Sequence, residues 1–227
     1  TVAPSWGAVL VDLRLHGGSR EGFAAPHTLA SAAGDLAALE GTLPGPVRGV
    51  VGHSLGAKIS MACARAKGPE LHRAVFVDGM PGARPDARGS EYTLRVLGLL
   101  EARNERVFST REEFVASLTG EGVTRDMALW LGMNLRPLGS ERGAGYALGL
   151  DLPALYALLD DYFNVDLWPV LESAPASVQW HTIVGGASPV FSLEERARLA
   201  DLSARSRGAV RVHTVEPGFV ATEFGRR

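Results

Sequence analysis

Gly52-His53-Ser54-Leu55-Gly56 is the segment of this sequence best suited to covalent chemistry. It follows the apolar run Val47-Arg48-Gly49-Val50-Val51 and precedes Ala57-Lys58-Ile59-Ser60-Met61-Ala62-Cys63-Ala64. Gly-x-Ser-x-Gly between a strand and a helix is a nucleophile elbow, a sharp turn that holds a serine in a strained backbone conformation. Gly52 and Gly56 are expected to lack side chains because strand and helix nearly touch there. Such a turn lifts the Ser54 hydroxyl clear of the sheet. The N–H of Leu55, at the helix start, faces any negative charge that develops on a carbonyl oxygen under attack.

A serine in that position needs a sheet behind it. Ala8–Leu15 reads as a strand ending in the polar turn His16-Gly17-Gly18-Ser19-Arg20. His27–Glu40 reads as a helix with Thr28 as N-cap, stopped by Gly41 and Pro44. Val47–Val51 is a second strand, Leu55–Ala66 a helix and Leu71–Val77 a third strand ending at Asp78-Gly79. Alternating strands and helices joined by short loops predict a parallel sheet. The alternation stops between about 82 and 175, where helices are expected at 91–103, 110–119, 125–135 and 152–162. Thr110 with Glu113 gives a capping-box pattern there. Val178–Val184 resumes the strands, Ser192 and Glu195 open another helix, and Ala209–Val215 is the last strand.

Three motifs in this order carry a resemblance: Asp12-x-Arg14-x-His16-Gly17-x-Ser19, Gly52-His53-Ser54-Leu55-Gly56-x-Lys58, and Val75-x-Val77-Asp78 with Pro81. Together they resemble the α/β-hydrolase superfamily. More narrowly they resemble the branch of YbfF-type esterases and abhydrolase-domain-11 proteins, with weaker similarity through Ile183–Pro189. The resemblance implies an α/β-hydrolase fold with a mostly parallel sheet, helices on both faces and an inserted helical lid. The core would span 1–81 and 176–227, and the lid 82–175. It implies Ser54 as nucleophile, Leu55 N–H in the oxyanion site and Asp78 as the acid. The other usual acid position reads Gly185-Gly186-Ala187-Ser188, without a carboxylate. The substrate implied is a small acyl ester or thioester.

Two parts of that pattern are missing. A serine hydroxyl is a weak nucleophile without a histidine to take its proton. Where the family places that histidine, after the last strand, this chain has Phe219. His213 and His181 lie within strands, and His53 and His16 read as local structural residues. The strand that the family places between Ala8–Leu15 and Val47–Val51 is also absent, as is the helix after the last strand. These gaps point to a hydrolase-type protein that is inactive or impaired as it stands. The alternatives are a competent carboxylesterase or thioesterase seen in part, or a structural subunit of a complex, with a protein partner supplying or covering the missing strand.

Bulk properties set the outer bounds. With 227 residues, 46% of them hydrophobic, the chain can bury one sizeable core. A net charge of −2 gives no reason to expect nucleic acid. The lone Cys63 excludes a disulfide framework and fits an intracellular, non-secreted protein. There is no apolar run long enough for a transmembrane helix. No metal-ligand spacing appears, and no cofactor is implied. The segment Val215-Glu216-Pro217-Gly218-Phe219-Val220 looks like a short-chain dehydrogenase segment. None of Tyr92, Tyr146, Tyr156 or Tyr162 has a lysine four residues on, and no Gly-rich dinucleotide turn follows the first strand.

Overall fold

The computed structural model describes residues 6–139 and 143–216. Four parallel strands form the main sheet, in the order β1 (Gly49–His53), β2 (Arg73–Val77), β5 (Gln179–Gly185), β6 (Val210–Val215). Gly49 pairs with Arg73, Arg73 with Gln179 and Trp180 with Val210. β1 is an edge of this sheet among the described residues.

The strands read as hydrophobic alternations because one set of residues faces the helices. Ala74, Phe76, Trp180, Thr182 and Val184 are buried, whereas Val51 is 73% exposed and Arg73 and His213 are exposed. Phe76 and Trp180 meet with ring centroids 5.8 Å apart, and burying each contributes roughly 2–3 kcal/mol. Against this face lies α2 (Leu55–Lys67), whose Ala57, Ile59, Met61 and Ala64 are fully or almost fully excluded from water. Small alanines let α2 approach the sheet closely. α1 (Leu29–Glu40) packs along α2 and starts where the Thr28 side chain accepts from Ser31 N–H.

The helical segment between β2 and β5 holds α3 (Glu91–Glu101), α4 (Arg111–Thr119), α5 (Arg125–Leu131), α6 (Leu152–Asn164) and α7 (Trp168–Glu172). It also contains an antiparallel hairpin, β3 (Leu135–Pro137) with β4 (Tyr146–Leu148), that the sequence reading did not anticipate. α8 (Leu193–Arg205) begins with a reciprocal capping box between Ser192 and Glu195 and buries Leu199 and Leu202.

The expected strand at Ala8–Leu15 does not form. Val9, Leu10 and Val11 are exposed, Leu10 to 98%. A strand exists only through a ladder with a neighbour, and no described strand lies alongside this one. Side-chain bonds hold the end of this run instead. Asp12 Oδ2 accepts from Gly18 N–H at 2.8 Å, and the buried Arg14 pairs twice with Asp35 at 2.7 and 2.9 Å. The Asp12-x-Arg14-x-His16-Gly17 motif is thus a self-bonded turn moored to α1.

Candidate active site

β1 and α2 meet at Ser54, whose backbone sits at φ 52°, ψ −116°. A non-glycine residue there carries strain of about 1–3 kcal/mol. Short-range contacts hold it in place. Ser54 N–H donates to Val77 O at 2.9 Å, and Ser54 O accepts from Ala57 N–H and Lys58 N–H at 3.0 and 3.3 Å. A Cβ on Gly52 would lie 2.1 Å from Gly56 O and 2.5 Å from Ser60 Oγ, so only glycine fits. The expectation that Gly56 is equally constrained fails, since a Cβ there would meet nothing within 4 Å. It is the Gly56 carbonyl, not its missing side chain, that fills the space beside Gly52.

Ser54 occupies the N-cap position of α2, yet its side chain makes no capping bond. The hydroxyl is left available, which is unusual for serine at a helix start. The Leu55 N–H that follows has no acceptor among the described residues.

Asp78 directly follows β2 at φ 46°. Its N–H donates to Ile183 O at 2.8 Å, which extends the ladder with β5 by one bond beyond β2. Its Oδ2 accepts from Ser188 Oγ at 2.6 Å and its Oδ1 from Gly185 N–H at 3.2 Å. The turn that lacks a carboxylate of its own supplies donors to Asp78. Gly79 keeps the next residue close to the elbow, because a Cβ there would lie 2.3 Å from Ala57 Cβ.

All six histidines fall among the described residues, and none hydrogen-bonds Ser54 or Asp78. His16 Nδ1 bonds its own turn at Arg14 O, 2.9 Å away, and His53 is exposed beside the elbow. His181 and His213 stack on neighbouring strands with Nδ1 and Nε2 3.0 Å apart. Burial, then His213, Arg211 and Arg73, lower the His181 pKa. Phe219 lies outside the described residues.

Two residues that the sequence reading gave no role converge on the elbow. Lys58, one helical turn after Ser54, is 1% exposed. Its Nζ donates to Gly82 O at 2.9 Å, Tyr162 O at 2.5 Å and Val165 O at 2.8 Å. Burial pulls its pKa down to about 8 against the opposing charges of Asp166 and Asp161. Burial raises the Tyr162 pKa, Arg84 and Ser54 lower it, and Asp78 raises it. A lysine four residues after the motif serine, on an otherwise apolar helix, was the one sequence signal for this arrangement.

A groove of about 660 Å³ lies between the 20–23 loop and the β3–β4 hairpin, lined by Arg20, Phe23, Arg136 and Leu148 among others. Neither Ser54 nor Asp78 lines it. A cavity of about 10 Å³ beside Lys58, Arg84 and Tyr162 has room for one water at most. No group of three His, Cys, Asp or Glu side chains among the described residues could hold a metal ion. No described helix is long and apolar enough to cross a membrane.

The solved structures that resemble this chain include a marine microorganism esterase, with a TM-score of 0.71 at 17% identity over 90% of this chain and 74% of that one. E-2-(acetamidomethylene)succinate hydrolase gives a TM-score of 0.60 at 24% identity, over 91% and 70%. A thioesterase domain from the curacin biosynthetic pathway gives 0.56 at 14%, over 83% and 66%. These likenesses establish the fold. No curated protein matches the sequence. The profile of the alpha/beta hydrolase family matches residues 3–218, nearly the whole chain. With a strained serine between a parallel strand and its helix, this chain belongs to the α/β-hydrolase family.

Proposed function

We propose that the chain is of serine ester or thioester hydrolase type, with Ser54 as nucleophile, Leu55 N–H holding the oxyanion and Asp78 as the acid. The observation that carries this reading is the strained Ser54 with its hydroxyl withheld from helix capping. Attack would join Ser54 Oγ to the acyl carbon, expel the alcohol or thiol and leave an acyl-enzyme for water to hydrolyse. The helices between β2 and β5 would act as the lid, residues 82–175. The chain as it stands is impaired, because none of its histidines reaches Ser54 to take the proton. An oxyanion site and binding alone sustain about 10³–10⁴-fold catalysis over water.

A second reading, a structural subunit that pairs with another strand, is favoured by one observation. The outer edge of β1 has no strand partner among the described residues, and Val51 within it lies open. Hydrolysis of p-nitrophenyl acetate and of an acetyl thioester, with and without Ser54→Ala, decides between the two. Slow turnover that vanishes in Ser54→Ala supports the hydrolase. A rate unaffected by that substitution leaves the subunit reading.

A further inference from the structure

The groove between residues 20–23 and the β3–β4 hairpin has room for a small molecule, since its volume of about 660 Å³ is that of an ordinary ligand pocket. Leu15, buried and at φ 70°, turns the chain back, with its N–H donating to Ser19 O at 2.7 Å. Arg20 Nη2 then donates to Met133 O at 3.2 Å and Arg136 Nη1 to Glu21 Oε1 at 2.5 Å, which ties the two walls together. Leu15, Phe23 and Leu148 make part of the lining apolar. Two arginines and two carboxylates also line it, and three of these four charges are committed. Arg136 pairs with Glu21 and donates from Nη2 to Gly149 O at 3.2 Å. Asp151 Oδ1 accepts from Ala154 N–H at 3.0 Å as the N-cap of α6. Arg20 is the exception. A guanidinium has five N–H donors, and the Met133 carbonyl takes one of them. No carboxylate pairs with Arg20 among the described residues, and its Nε is closed off from water without an acceptor. A cation held in a groove wall attracts an anion more strongly than one in open solvent.

We propose that this groove binds a monocarboxylate with an apolar body, of the medium-chain class, its carboxylate paired with Arg20 and its chain lying on Leu15, Phe23 and Leu148. The guanidinium fork matches the two oxygens of a carboxylate. A dianion such as phosphate is disfavoured, because Glu21 and Asp151 stand in the same lining and repel a second negative charge. Neither Ser54 nor Asp78 lines the groove, so its occupancy does not depend on Ser54 reacting.

Titration of octanoate into the ¹⁵N-labelled protein, followed by amide NMR shifts and by calorimetry, tests this. Saturable binding is expected, with the amides of Gly22, Leu148 and Gly149 moving. Arg20→Gln is expected to weaken it by about tenfold or more, the effect of losing a charged hydrogen-bond donor. Arg20→Lys keeps the charge but not the fork, and is expected to fall between the two. Octanol has the same chain without the charge, and is expected to bind the wild type about tenfold more weakly than octanoate. That comparison holds even if the Arg20 variants do not fold. No saturable binding at millimolar octanoate, equal affinity for octanoate and octanol, or a folded Arg20→Gln that binds as tightly as wild type overturns the inference. Shifts confined to the residues around Ser54 and Asp78 place the carboxylate at the nucleophile and overturn it too. Inorganic phosphate that displaces octanoate at equal concentration overturns the choice of a monocarboxylate.

Discussion

The two sides of β1 behave differently. At its C-terminal end, every conformational choice is answered by a neighbour: Gly52 by the Gly56 carbonyl, Ser54 N–H by Val77, Asp78 N–H by Ile183 and its carboxylate by Ser188 and Gly185. Along its outer edge no described strand pairs with it. Val51 is open, and the apolar run Val9-Leu10-Val11 forms no strand. The elbow is encoded by contacts between residues 52, 56 and 60, and by the ladder to β2. The run at 8–11 carries strand-forming residues but needs a partner's backbone, and side-chain preference cannot replace that ladder.

The sharpest way to break this contrast is to put a methyl group on each elbow glycine. Gly52→Ala should cost more than about 3 kcal/mol or prevent folding, since its Cβ meets backbone. Gly56→Ala, in open space on a helix, should stay within about 1 kcal/mol of wild type and could stabilise. Denaturant midpoints measure both, and a severe Gly56→Ala would show that something covers that side of the elbow in solution. Next in size is Ser188→Ala. Removing the 2.6 Å bond to Asp78 should cost about 1–2 kcal/mol in the same assay. Val51→Lys, on the open side, should change stability by no more than about 0.5 kcal/mol; a larger loss means the side chain is buried against a partner.

The smallest effect concerns pH. The folded pKa of His181 lies below its ordinary 6.5, so the unfolded chain takes up its proton first. Stability is therefore complete above 6.5 and falls as the pH drops through that value. Melting temperatures between pH 8 and 5 should fall less steeply in His181→Gln than in wild type.

Much of this was legible in the residues. Thr28, Ser192 with Glu195, and the Ala-rich run after Ser54 announced their helices, because capping and propensity act over three or four residues. The Ser54 elbow was legible for the same reason. Leu135–Pro137 with Tyr146–Leu148 was not, since three-residue strands carry too little alternation to register. Tyr162 was not either. It lies 104 positions from Lys58 in a helix with no motif, and only the fold brings the two together.

The proposed role of Ser54 requires its oxygen to be an available nucleophile at a strained turn. Intact-protein and peptide mass spectrometry after fluorophosphonate treatment tests it most directly. A single phosphonyl adduct, mapped to Ser54 and absent from Ser54→Ala, is the expected result. An adduct on another residue, or none after prolonged exposure of the folded protein, would contradict it.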